Sequence, residues 1–491
     1  MPRDGDCDMP DRSKPLQQAR QDVKVGSAKV VASLLGGATL VIGSLLGFSW
    51  RFVDGVATSV STHPQRELSP VASPIISARH FPQTLSDEVR INSVRRRLVA
   101  VANALPEGSC LSVDVEGKSL IDVNPSTPLV PASNMKLVVA YAALKVLGPD
   151  YTFNTSARGS LEGGQVVGDL FLVGGGDPVL VTSDYPSREF FPTFNQTRIE
   201  DLVDALAARG ITAISGSVVG DESRYDVERY SPNLGLGIRG TEVGPLGALM
   251  ISDGTLATSP IKPDQPALAA ATELTRLLND RGITVGGPPR VGTVSGDLGE
   301  IASIVSQPLR ALVAEMLTNS DNNTAELILK EIGFTAKQSG SREAGIAAVT
   351  EQLVADGLAV DGFVMADGSG LDRSNRLSCR LLMQILDSDG GFGDIGNGLS
   401  VLGKVGTLRD VLIDSPAAGR LYAKTGTLTD IKTLSGFTRY SDALAVRFAL
   451  ILNGKGVSNQ GVYRPIWSAL AGALASVSDA PSAAQLAPSA A

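Results

Sequence analysis

Histidine is nearly missing from this chain: of 491 residues only His63 and His80 are histidine, and both lie in a Ser- and Pro-rich segment. A Ser-His-Asp triad would need one of them to fold back into a core, and a histidine-based zinc centre lacks ligands. Neither metal nor other cofactor is expected, and a serine nucleophile would have to use lysine as its base. A basic excess is missing too. Lys and Arg number 43 against 51 Asp and Glu, giving a formal net charge of -8, which argues against nucleic acid as a partner. The triplet Arg95-Arg96-Arg97 reads as one solvated helix face. No Gly-Lys-Ser/Thr closes the glycine run at residues 174–176, so that run reads as a turn and not as a phosphate loop. Cysteine occurs three times, as Cys7, Cys110 and Cys379.

What is present is apolar and loop-rich. Apolar residues make up 43% of the chain and charged residues 19%, with 53 Gly and 27 Pro, a globular composition too long for a single core. Residues 30–50, VVASLLGGATLVIGSLLGFSW, give 21 positions without a charge, enough to cross a bilayer as a helix. Lys24 and Lys29 before this run, against Arg51 after it, lean towards an inside N-terminus. One uncleaved anchor in the cell membrane is therefore expected, with residues 1–29 as a cytoplasmic tail and 51–85 as an extracytoplasmic linker. That leaves about 440 residues on the periplasmic or cell-wall side. The alternative is a cleaved signal peptide, with "GVA" at residues 55–57 as the candidate site. No cysteine ends the apolar run, so a lipoprotein is not expected. Cys7 falls inside, and Cys110 and Cys379 fall in an oxidising compartment, where they are either a disulfide or buried free thiols.

Past the linker, Ser86 with Asp87 and Glu88 reads as a helix start, and Val89, Val94, Leu98 and Val101 recur at helical spacing. "SCLSVDVEGKSLIDVN" reads as a hairpin turning at Glu116-Gly117. The apolar helix of "VPASNMKLVVAYAAL" follows. Glycine-broken strands then suggest a separate β-rich unit over residues 151–289, interrupted by the helix-like "RIEDLVDALAARG". "QPLRALVAEMLTNSDNNTAELILKEIG" restores helical spacing. "GRLYAKTGTLTDIKTLSGFTRYSDALAVRFALILNG" reads as successive antiparallel strands with a turn at Tyr440-Ser441-Asp442. The Ala-, Ser- and Pro-rich residues 476–491 read as a disordered tail.

Ser133 and Lys136 stand at i and i+3 at the start of the apolar helix. Taken alone, the pair reads better as a capping serine beside an exposed lysine than as a catalytic pair. Two further clusters change the balance: Ser320-Asp321-Asn322 at the end of a helical run, and Lys424-Thr425-Gly426-Thr427 in a strand. In this order the three clusters resemble the penicillin-recognising acyl-serine transferases. The large insert between the first two, "PAS" before Met135-Lys136, "DGSGLDRSNRLS" from Asp367, and "LSVLGKVGTLRD" ahead of "LYAKTGTLTDIKTLSGFT" narrow the resemblance. It is to the D-Ala-D-Ala carboxypeptidase/endopeptidase family, the class C low-mass penicillin-binding proteins of peptidase S13 type, and it covers roughly Ser86 to Ala475.

The resemblance implies an α/β (α+β) fold, with a transpeptidase/β-lactamase-like catalytic domain formed by residues 86–150 and 290–475 and split by the β-rich insert. The insert is short for the family, which implies that a third domain of some members is reduced or absent, and the N-terminal transmembrane helix departs from soluble members. Ser133 would be the acyl-forming nucleophile and Lys136 its general base, kept neutral by burial and by Lys424. Ser320 would relay a proton to the leaving amine. Asn322 would hold the substrate amide and contact Lys136. Thr425, Thr427 and the charge of Lys424 would bind the terminal carboxylate, Gly426 would let the peptide lie along the strand, and the N–H groups of Ser133 and Thr427 would form an oxyanion hole. The partners implied are peptidoglycan stem peptides as substrate and β-lactams as covalent inhibitors. Residues 367–371 would form the site wall. Two other readings share these motifs: a β-lactamase, and an idle envelope scaffold whose insert binds a partner.

Overall fold

A computed structural model describes residues 82–476 except 116, 257–261, 392 and 440–444. The anchor expected at residues 30–50, its flanking tail and linker, the turn at residues 440–442 and the tail beyond residue 476 lie outside the described residues. Among the described residues no helix is long and apolar enough to cross a membrane.

The chain runs through α1 (Pro82–Asn103), the hairpin of β1 (Gly108–Val115) and β2 (Lys118–Val123), and α2 (Met135–Val146). It then enters a second unit with strands β3 (Asn154–Glu162) and β4 (Gln165–Val173), helix α3 (Ile199–Ala208), strand β5 (Val218–Asp221), helix α4 (Pro266–Asp280) and strand β6 (Glu300–Val305). It returns through helices α5 (Leu309–Asn319), α6 (Asn322–Lys337), α7 (Arg342–Ala355) and α8 (Cys379–Ser388). Strands β7 (Ser400–Val401), β8 (Leu421–Leu428), β9 (Ile431–Arg439) and β10 (Ala445–Asn453) and helix α9 (Gln460–Ala475) complete it. Helix α1 begins at Pro82, a residue suited to a first helical position; Ser86 therefore lies inside the helix and not at its cap.

The first sheet has the order β7-β8-β9-β10-β1-β2 and is antiparallel throughout. Its central strands are apolar on both faces because helices cover both. Phe437, Ala449 and Ile451 face a core built with α2 and α5 to α8. Leu434, Phe448, Leu450 and Leu452 face α1 and α9, against Val94, Leu98 and Trp467. Met135 to Ala143 of α2 are all buried, as expected of a helix apolar on every side. Cys110 of β1 and Cys379 at the start of α8 form a disulfide, which decides between the two readings of these cysteines.

The second unit has its own core, with α3 and α4 packed against a seven-stranded sheet whose main path is Arg290–Val291, β5, β4, β3 and β6. The boundary expected at Pro289 is therefore too early. Strand β6 pairs antiparallel with β3, so its backbone groups are satisfied only within this unit. Entry and exit meet at a clasp: Phe153 N–H donates to Ser306 Oγ at 3.0 Å, and Ser306 N–H donates to Phe153 O at 2.9 Å.

Candidate active site

A single tight turn, Ala132–Asn134, delivers the chain into α2. Ala132 is held left-handed at φ 46°, a conformation that alanine adopts only under constraint from its surroundings. The constraint is close packing. A Cβ on Gly370 would stand 2.0 Å from Ala132 O, and one on Gly426 would stand 2.2 Å from Thr433 Oγ1 and 3.0 Å from Ser133 N, so both positions admit only glycine. Thr433 Oγ1 donates to Pro131 O at 3.2 Å, and Asn134 Nδ2 donates to Ser435 Oγ at 2.7 Å, tying the turn to β9. Ser133 is not a helix cap. Asn134 occupies that position, with no side-chain capping bond.

The Ser133 hydroxyl meets a lysine instead. Lys136 Nζ donates to Ser133 Oγ at 3.2 Å, to Asn322 Oδ1 at 2.7 Å and to the carbonyl of Ser369 at 2.7 Å. Lys136 is fully buried. Burial lowers its pKa to about 8, against the opposing pull of Asp321, Asp367, Glu326 and Glu242. Its neutral form is therefore accessible near physiological pH, next to a hydroxyl one helical turn away.

The long helical run after the second unit is broken at Ser320-Asp321. Ser320 ends α5 in the left-handed region at φ 63°, and the Asp321 side chain caps α6 by accepting from Thr324 N. The helix-end turn is thus real, and it also turns Ser320 and Asn322 towards Ser133. Asn322 Nδ2 donates to Glu242 O of the second unit at 2.7 Å while its Oδ1 accepts from Lys136.

Strand β8 brings the third cluster. Lys424 is fully buried and donates to Ser320 Oγ at 2.7 Å and to Thr425 O at 2.9 Å. Burial first, then the charges of Lys136 and Lys432, hold its pKa well below the ordinary lysine range. Burial is also the first cause for Lys136, and the repulsion between the two lysines is the second cause at Lys424. Thr425 Oγ1 and Thr407 Oγ1 are 2.8 Å apart, and Thr427 Oγ1 accepts from Lys432 Nζ at 2.6 Å. A cleft of about 960 Å³ is lined by Ser133, Ser320, Asn322, Thr425, Gly426 and Thr427. Lys136 and Lys424 are buried beneath it.

Several contributors carried no sequence signal. The Ser369 carbonyl that holds Lys136 is a backbone atom within the segment taken as the site wall. It is fixed by Glu326, whose carboxylate accepts from Gly368 N at 3.1 Å and Ser369 N at 2.8 Å. Burial, then Asp367, pushes the Glu326 pKa to about 7. Glu326 lies four residues after Asn322 on α6, on the same helix face, but Glu331 on the same helix is buried too, so sequence does not single it out. Asp367 accepts from Gly370 N, Asp372 N and Asn375 Nδ2, closing the wall on itself. Thr407 and Lys432 likewise have no side-chain pattern in the sequence that marks them as part of the site.

Residues 107–260 and 247–477 match the D-Ala-D-Ala carboxypeptidase 3 (S13) family. A carboxypeptidase, DacB, of Mycolicibacterium smegmatis is 30% identical over 357 residues, 69% of this chain and 75% of that one. A D-alanyl-D-alanine carboxypeptidase of Actinomadura sp. is 26% identical over 422 residues, 69% of this chain and 76% of its own. Among solved structures, penicillin binding protein 4 (dacB) of Haemophilus influenzae superposes with a TM-score of 0.63 at 21% identity, covering 76% of this chain and 97% of that one. At that identity the likeness is one of mixed α/β fold.

Proposed function

Because the chain belongs to the D-Ala-D-Ala carboxypeptidase 3 (S13) family, we propose that it cleaves peptidoglycan stem peptides after a D-Ala through an acyl-enzyme on Ser133. The observation that carries this reading is the contact of Ser133 Oγ with a buried, pKa-lowered Lys136, 3.2 Å away beneath an open cleft. Neutral Lys136 takes the hydroxyl proton as Ser133 Oγ attacks the carbonyl of the penultimate D-Ala. The N–H groups of Ser133 and Thr427 receive the developing oxyanion. As the C–N bond breaks, the proton taken up by Lys136 is relayed through the Ser320 hydroxyl to the leaving amine, which leaves Lys136 neutral to deprotonate the water that hydrolyses the ester. Thr425 and Thr427 offer hydroxyls to the terminal carboxylate.

Incubating the full-length chain with a pentapeptide and with a cross-linked dimer tests the reading. Mass spectrometry is expected to show loss of terminal D-Ala from the first and scission of the second, with penicillin trapped on the tryptic fragment that carries Ser133. Intact substrates, or an adduct on another residue, would overturn it.

For location, we propose a site outside the cytoplasm, with residues 30–50 as the anchor. The Cys110–Cys379 disulfide supports an oxidising compartment, and the 21 uncharged positions support a span. An anchored chain stays with the membrane pellet through an alkaline carbonate wash; release into the supernatant would exclude the anchor.

A further inference from the structure

Lys432 sits on β9 directly across the ladder from Thr427. It is 9% exposed, lines the cleft and points its Nζ at Thr427 Oγ1, 2.6 Å away. The same ammonium lies 4.4 Å from the ring centre of Tyr463 and 5.0 Å from that of Trp467, both on α9 and both on the cleft wall. Among the described residues no carboxylate stands at ion-pair distance from it. Two aromatic faces offset part of the cost of taking a cation out of water without cancelling its charge. What remains is a positive end of the cleft, reinforced by Arg464 nearby.

Lys424 is placed differently. Its Nζ is committed to Ser320 Oγ and to the carbonyl of Thr425, and the whole side chain is buried beneath the cleft. An ammonium can only donate, so Thr427 Oγ1 accepts from Lys432, and its own proton is left to be donated to a ligand. A carboxylate at Thr427 would then meet an oriented hydroxyl and a cation directly behind it.

We propose that Lys432, and not Lys424, supplies the positive charge that holds the substrate's terminal carboxylate, through Thr427 and beside it. The inference rests on the reading of this cleft as a D-Ala-D-Ala site and adds the group that selects a free C-terminus. Lys424 is thereby left to the proton path through Ser320.

The test compares the full-length chain on an N-acylated peptide ending in D-Ala-D-Ala with the same peptide ending in the carboxamide. Lys432→Met keeps an unbranched stem against Tyr463 and Trp467 and removes the charge. It is expected to lower kcat/KM on the carboxylate peptide about tenfold or more, chiefly through KM, and on the carboxamide by less than about threefold. Lys432→Arg, which restores the charge, is expected to recover activity on the carboxylate peptide to within about threefold of the parent chain. Equal losses on both peptides, or no loss on the carboxylate peptide, would overturn the proposal while leaving the site reading intact. A parent chain that hydrolyses neither peptide would overturn the site reading itself.

Discussion

Lys136→Ala is expected to slow acylation of Ser133 by a fluorescent penicillin about 10³-fold, within the range that a positioned general base contributes. The geometry leaves no understudy. Lys136 touches Ser133 Oγ, whereas Lys424 donates to Ser320 Oγ and Thr425 O. The pH dependence has a definite sign. Protonated Lys136 cannot accept the hydroxyl proton, so with its pKa lowered to about 8 the acylation rate of the parent chain falls with decreasing pH below that value and levels off above it. The variant is expected to lose this limb. Removing the ammonium also leaves Asn322 Oδ1 and Ser369 O without a donor, at a cost of about 1 to 3 kcal/mol each, so a thermal melt is recorded beside each rate. Ser133→Ala serves as the zero of the assay. A folded Lys136→Ala protein labelled as fast as its parent would show that another group is the base.

The second large effect is on stability. Replacing Cys110 and Cys379 together by serine is expected to lower the unfolding free energy by about 2 to 4 kcal/mol. The bond joins the middle of β1 to the first turn of α8 across 269 residues of sequence, so losing it frees a long loop in the unfolded chain. Both positions are fully buried, and the hydroxyls introduced there add a desolvation cost. Guanidinium denaturation of both proteins measures the difference, and a reductant is expected to bring the parent most of the way to the variant, the rest being the cost of the buried hydroxyls. Neither cysteine touches the cleft, so turnover per folded molecule is expected to persist. A loss below about 0.5 kcal/mol would mean that the sheet and helix hold without the bond.

The three motifs were legible because each is a contiguous run whose side chains act together. Ser133 and Lys136 share a helix face, Asn322 follows its serine across a helix break, and Thr425 to Thr427 follow their lysine on one strand. Individual helices and strands were legible from their 3.6 and 2 residue periods, whereas the split α/β catalytic domain was implied by the family resemblance. What escaped is carried by contacts without a sequence neighbourhood. The carbonyl of Ser369 has no side-chain signature. Lys432 gains its meaning only from the antiparallel register that sets it opposite Thr427. The end of the second unit was misplaced because glycine- and proline-rich residues 286–299 look like a linker, and nothing local to them announces that β6 will return to pair with β3. The cysteine pairing, too, depends on a distance that composition does not encode.

The neighbour of β10 in the first sheet is β1, paired from Gly108 with Asn453 to Val115 with Val446. The earliest strand of that sheet therefore waits for the last. During synthesis the second unit, with all its strands between Asn154 and Val305, can pair as soon as it is made, while the surrounding sheet stays open until residue 453 has been added. A chain that ends before β8 carries the nucleophile without Lys424 and without the strand along which a peptide lies. On this topology the cleft is assembled only when the sheet closes, after its last strand has been made.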